Sequence, residues 1–126
     1  TLFAGGCGRL FEGDAATMYQ SLQRLAALPA TTRAYCAHEY TLANLKFATA
    51  VEPQNLQLQA RIVRDKHARD QNIPTVPSSL GLELETNPFL RCATPSVAAH
   101  MQELAAVDAA DPVAVFAAVR SWKDSF

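Results

Sequence analysis

The chain has 126 residues, with 11 Lys and Arg against 12 Asp and Glu, a formal net charge of −1 at pH 7. That balance argues against a nucleic-acid partner or a polybasic membrane-surface protein, both of which need a cationic excess. At 49% hydrophobic and 18% charged residues the composition is globular, and no apolar run approaches the ~20 residues of a membrane span.

In chain order, Thr1-Leu2-Phe3 reads as the tail of a strand, and Gly5, Gly6 and Gly8 make residues 4–8 a loop. Asp14 is a plausible N-cap for a helix in which Met18, Leu22 and Leu25 recur at helical spacing until Pro29 stops it. Residues 33–38 read as a short strand. Residues 41–51 form a helix with Leu42, Leu45 and Phe47 on its apolar side, and residues 54–71 a second, more polar one. Residues 72–95, with Pro74, Pro77 and Pro88, are long for a structureless connection and are expected to pack as an ordered arm. Residues 96–107 are helical by pattern, with Ser96 as the expected cap. Asp111-Pro112 starts a last helix by cap and first-turn proline. The first 38 residues thus have too few strands to close a sheet, and the remainder reads as all-helical.

Three features carry candidate chemistry. His38 closes the strand at 33–38, where α/β proteins place functional side chains. The zinc-protease pattern HExxH fails because position 42 is Leu. Without a second ligand of similar placement, the pattern alone favours a hydrogen-bonded core or strand-end residue for a lone histidine. His67 falls on a charged, solvated helix face and His100 on an alanine-rich one, so both read as structural. The Gly5-Gly6-Cys7-Gly8-Arg9 run lacks the Lys-Ser/Thr of a phosphate loop. It is either a tight turn or a backbone cradle in which Arg9 meets an anion. Arg120 and Lys123, three apart on the last helix, either complement the helix dipole or clamp an anionic ligand. Trp122 between them reads as core. Cys7, Cys36 and Cys92 are an odd, widely spaced set with no CxxC pair, which suits a reducing, cytoplasmic compartment.

The order of these segments is more specific than any one of them. Gly-Cys-Gly-Arg-Leu-Phe-Glu-Gly at 6–13, Cys-Ala-His-Glu-Tyr-Thr at 36–41 with Asn44, Leu45, Lys46 and Phe47, Asn-Pro-Phe-Leu-Arg at 87–91, and Arg120-x-x-Lys123-Asp124-x-Phe126 together resemble the glyoxalase II (hydroxyacylglutathione hydrolase) family of the metallo-β-lactamase fold. The resemblance runs end to end.

What the resemblance implies is an α+β chain. Residues 1–38 would be the C-terminal part of a metallo-β-lactamase-like αββα layer domain, and residues 39–126 an all-helical glutathione-binding domain. The implied reaction is hydrolysis of S-(2-hydroxyacyl)glutathione thioesters, typically S-lactoylglutathione, to glutathione and D-lactate, in methylglyoxal detoxification. The family uses hydroxide on two divalent metal ions, zinc with iron or manganese also accepted; a metal brings bound water to a pKa of about 7. The leaving thiolate needs less acid assistance than an amine. By resemblance His38 is the terminal metal ligand, Tyr40 bonds the glutathione part of the substrate, and Arg9 contacts it as well. Arg120 and Lys123 would grip its glycine-end carboxylate, and Phe11 stands where some relatives have Tyr. Cys7 is not expected to be a nucleophile. The remaining metal ligands of the family would fall upstream of Thr1. The chain therefore reads as the later portion of a monomeric enzyme, expected to be inactive alone. Two alternatives stay open: a non-catalytic helical module that binds glutathione or a partner, and another hydrolase or a persulfide dioxygenase of the same fold. The helical tail with Arg120 and Lys123 counts against the dioxygenase.

Overall fold

Two adjacent glycines turn the chain back on itself within its first eight residues. Leu2–Phe3 (β1) and Gly6–Cys7 (β2) pair antiparallel, Leu2 opposite Cys7 and Phe3 opposite Gly6. The expected open loop at 4–8 is therefore mostly the turn and second arm of a hairpin. Gly5 takes φ +74°, a conformation that side chains disfavour. Gly6 answers a different need: a Cβ there would lie 2.7 Å from Asn44 Nδ2. The computed structural model describes residues 1–11 and 13–126, so Glu12 of the 6–13 motif lies outside the described residues.

Asp14 caps Ala15–Ala26 (α1) by accepting from the Thr17 amide at 2.9 Å, as its sequence suggests. The helix ends before Pro29 is reached. The strand expected over 33–38 is shorter: only Arg33–Ala34 (β3) is extended and paired, and its partner is Ser78–Ser79 (β4), not β1. A strand lasts as long as its ladder. Here the partner turns directly into Leu80–Thr86 (α4), so residues 35–38 are released.

Thr41–Val51 (α2) has the expected bounds, and Leu45 and Phe47 are buried. Leu42 is exposed instead, because the inward face is the one carrying Thr41, Asn44, Ala48 and Val51. Asn55 caps Leu56–Asp70 (α3) through the Leu58 amide. Residues 72–95 are more regular than the expected arm. They supply β4, α4 and a 3-10 turn at Pro88–Leu90, with Ser79 capping α4 and Asn87 capping the turn. The stretch after residue 38 is thus mostly helical but contributes one strand. Pro95–Ala105 (α5) starts at Thr94 with proline at its first position. Ser96, the expected cap, instead donates to Glu52 Oε2 at 2.7 Å. Asp111 caps Pro112–Ser125 (α6) as expected, accepting from the Val113 and Ala114 amides.

One apolar core crosses residue 38. Cys7 and Leu22 meet Phe47, Phe89, Val97, Met101, Phe116 and Val119 in it. A second, ionic centre lies beneath the hairpin. Glu83, fully buried, accepts from the Gly5 amide at 2.9 Å, Asn87 Nδ2 at 3.1 Å and Ser78 Oγ at 2.6 Å. Its other neighbour is Arg61, with Nη2 at 2.8 Å, and Arg61 also reaches Asp65 and Thr86. Asn87 in turn donates to the Gly6 carbonyl at 3.0 Å. The hairpin is thereby fastened to α3 and α4, which fixes where residues 8–11 emerge.

Candidate functional site

A cavity of about 360 Å³ opens where the hairpin, the residues before α2 and the last turn of α6 converge. Its walls include Arg9, His38, Tyr40, Arg120 and Lys123, all five residues singled out in the sequence, together with Phe3, Phe11 and Asn44.

His38 and Tyr40 reach the cavity because the residue between them is anchored. Glu39 accepts from the Thr75 amide and hydroxyl, each at 2.7 Å, and the Thr75 hydroxyl also bonds Thr41 at 2.6 Å. Burial pushes the Glu39 carboxyl up, but these hydrogen bonds outweigh it and leave its pKa below the usual value. With the Glu39 side chain tied toward Thr75, its neighbours face the other way. The His38 and Tyr40 rings stack at 4.8 Å and 14°, and Phe3 packs against Tyr40 at 5.3 Å. His38 is exposed, not sunk among aliphatic side chains.

The cationic wall is less uniform than its sequence suggests. Arg120 is only 4% exposed. Its Nη1 donates to the Cys7 carbonyl at 2.7 Å and the Gly8 carbonyl at 3.3 Å, and Nη2 donates to Asp124 at 3.0 Å. The guanidinium carbon also sits 5.0 Å from the Phe89 ring centre. Arg120 Nε is buried with no partner, a donor left over where nearly all others are used. Lys123, half-buried, lies with Nζ 5.9 Å from the Phe47 ring centre. Arg9 is largely exposed, and its Nε is 3.9 Å from Asp124 Oδ1. Trp122 packs edge-on against Phe47 at 5.2 Å and against His100 at 5.7 Å, in keeping with a packing role. His100 donates from Nδ1 to the Val51 carbonyl at 2.8 Å, and His67 lies on an exposed face beside Gln71.

Cys7 lines the cavity, yet burial pushes its thiol up to about 11 against the pull of Arg120. A thiol that stays protonated at neutral pH is a poor nucleophile. Its sulfur lies 3.6 Å from Arg120 Nη1.

Three contributors carry no individual role in the sequence reading. Asn44 donates to the Ala4 carbonyl at 3.1 Å and shapes the floor beside Gly6. Phe3 backs Tyr40. Asp124 bridges toward both arginines; its i,i+4 spacing from Arg120 is the signal by which it could be found. Among the described residues no three His, Cys, Asp or Glu side chains come together as a metal cage. His38 can offer one nitrogen only, so the donors of this chain do not by themselves fit a two-metal centre.

The cavity has stacked aromatics at one end and clustered cations at the other, set on a mostly helical scaffold. Residues 39–126 match the family described as "Hydroxyacylglutathione hydrolase C-terminus", and the chain belongs to the hydroxyacylglutathione hydrolase family. It is 55% identical over its whole length to a hydroxyacylglutathione hydrolase of Ectopseudomonas mendocina, covering 49% of that protein. It is 52% identical to one of Nitrosomonas europaea and 55% to one of Aeromonas salmonicida, covering all of this chain and 48% and 50% of theirs. The chain thus spans about half the length of the curated relatives it matches.

Proposed function

We propose that this chain is the thiol-ester-docking part of a hydrolase that cleaves S-(2-hydroxyacyl)glutathione, typically S-lactoylglutathione, to glutathione and a 2-hydroxy acid in methylglyoxal detoxification. The observation that carries the reading is the convergence of Arg9, His38, Tyr40, Arg120 and Lys123 on one cavity from three distant stretches of sequence. Glutathione bears two carboxylates, and Arg9, Lys123 and the edge of Arg120 supply positive charge for an end that carries one. In this reading the Tyr40 hydroxyl bonds the glutathione part of the substrate. Such a grip fixes the thioester at the aromatic end, beside His38, and turns encounter into orientation. The departing thiolate needs little proton donation, and the protonated Cys7 thiol does not compete as nucleophile.

In this reading residues 1–38 close a metallo-β-lactamase-like layer domain and residues 39–126 form the glutathione-binding domain of a monomeric, cytoplasmic enzyme. His38 offers one ligand to a pair of divalent ions, zinc with iron or manganese as substitutes, whose other ligands this chain does not hold. In the complete protein such ions would supply a hydroxide nucleophile, and the contribution of this chain to holding them would be His38. This chain alone is expected to be inactive and to retain well under two ions per molecule.

The test is to express the product of the complete reading frame and to assay it with S-lactoylglutathione, with metal counted by elemental analysis. Hydrolysis that disappears in Lys123→Ala at low substrate and returns at high substrate supports the dock. A complete protein that takes other thioesters but leaves the glutathione thioester intact would exclude it. So would two tightly bound ions in the 126-residue chain exclude the assignment of the missing ligands elsewhere.

A further inference from the structure

We propose that Asp124 is a positioning residue of this dock: through one carboxylate oxygen it holds Arg9 and Arg120 in the register that a single ligand carboxylate, with Lys123, requires. The inference rests on the glutathione reading of the cavity.

Asp124 Oδ1 accepts from Arg120 Nη2 at 3.0 Å and lies 3.9 Å from Arg9 Nε. The two arginines come from opposite ends of the chain. Arg120 also holds the Cys7 and Gly8 carbonyls, so the backbone leading into Arg9 is fastened to α6, and the Arg9 side chain lies within ion-pair range of the same turn. Arg9 has a side-chain exposure of 64%. Left alone, so long and mobile a side chain would be ordered only when the ligand arrives, and that ordering would be subtracted from affinity. Asp124 biases it toward the cavity beforehand through a partly screened ion pair. It sits one residue after Lys123 and four after Arg120, so all three charges are set by the same stretch of helix.

A carboxylate beside an anion dock has two effects of opposite sign. It repels the ligand, and it organises the cations. Asp124 has a side-chain exposure of 45%, so water and salt screen the repulsion. The contact with the buried Arg120 is screened less. Positioning therefore wins, and removing the charge weakens binding although the site becomes more positive.

The experiment uses the complete protein carrying Asp124→Asn, Asp124→Ala or Asp124→Glu. It reads KM and kcat with S-lactoylglutathione, Kd for a non-hydrolysable S-alkylglutathione by calorimetry, and the thermal midpoint. Asp124→Asn keeps the shape and an oxygen acceptor, so the fold stands while the charge is lost. The expected result is a rise of about tenfold in KM and Kd, the effect of about 1.4 kcal/mol, with kcat within about twofold of the parent. Asp124→Glu recovers most of that loss. In an Arg9→Ala background the Asn substitution loses the part of its effect that runs through Arg9 and keeps the part that runs through Arg120. An unchanged or lower KM in Asp124→Asn overturns the proposal and makes the carboxylate a diluent of charge. So does a fall in kcat at constant KM. A parent protein that neither cleaves the thioester nor binds the S-alkylglutathione overturns the dock itself. A parent that binds normally while all variants match it overturns only the role of Asp124.

Discussion

Two clusters of charge in this molecule obey opposite rules. Beneath the hairpin, Arg61, Asp65 and Glu83 form a set in which both Glu83 oxygens are used, by Gly5, Asn87, Ser78 and Arg61. At the cavity, Arg9, Arg120, Lys123 and Asp124 leave capacity over on the solvent side, where Lys123 Nζ faces the Phe47 ring and Arg9 is exposed; each cluster also keeps one buried guanidinium nitrogen outside any hydrogen bond, Arg61 Nη2 and Arg120 Nε. A closed network stabilises and specifies; an open one of one dominant sign is free to receive a ligand. Arg120 belongs to both kinds, because it clips the Cys7 and Gly8 carbonyls while facing the cavity.

The sharpest way to break this contrast is Glu83→Ala. It removes the acceptor for three donors and leaves Arg61 charged, buried and short of a partner. The expected loss is about 3–5 kcal/mol of folding stability, read by urea unfolding. A loss under about 1 kcal/mol would mean that the network is not the closed structure its distances describe. Next comes Arg120→Ala, which orphans two carbonyls of the hairpin exit. It should cost about 2–3 kcal/mol of stability and, in the complete enzyme, raise KM more than it lowers kcat. Arg120→Lys should rescue little, since an ammonium lacks the fork that spans Cys7, Gly8 and Asp124. A stability loss with unchanged KM would assign Arg120 wholly to the structural side.

The sequence made parts of this legible for definite reasons. Asp14, Asp111 and Pro112 are local signals, and the helices they start are where expected, because caps depend on three or four neighbouring residues. The strand pattern at 33–38 overstates the strand because its length depends on Ser78 and Ser79, more than forty positions away. The helix α4 was hidden in a stretch whose prolines and serines suggest irregular chain, although Ser79 and Asn87 are themselves caps. Arg120 and Lys123 were legible as a pair by spacing, but not that one is buried in a backbone clip and the other lies against an aromatic ring. His38 and Tyr40 were legible as a motif. The reason for Glu39 between them, its bonds to Thr75, is a long-range contact.

A third test separates the two clusters by pH. Burial raises the Cys7 thiol to about 11, while the unfolded chain releases that proton near 9. The contribution is therefore fully present below pH 9 and is lost as pH rises toward 11, when the unfolded state has shed a proton that the folded state keeps. Cys7 should account for about 2–3 kcal/mol lost over that window, measured by unfolding at fixed pH values, and Cys7→Ala should lessen the slope without abolishing it, because burial also raises the Cys92 and Cys36 thiols. Cys36, half-buried and raised less strongly, should be alkylated first at pH 8 in the folded chain. Rapid labelling of Cys7 under native conditions would show that the hairpin exit opens readily and that the Arg120 clip is weak.

Lys123→Ala probes the open cluster alone and has the smallest effect on the fold. Its ammonium makes no hydrogen bond or ion pair among the described residues, and its contact with the Phe47 ring is long at 5.9 Å. Folding stability should drop by no more than about 1 kcal/mol. Affinity should fall by about five- to tenfold in the complete enzyme, the range of one partly screened charge on an anionic ligand, with kcat nearly unchanged. Because that charge acts across water, the difference from the parent should shrink as salt approaches ~1 M, where screening reaches ~3 Å. A defect that persists undiminished at high salt would mean that Lys123 works through packing against Phe47. The cavity's cations would then have to be counted without it.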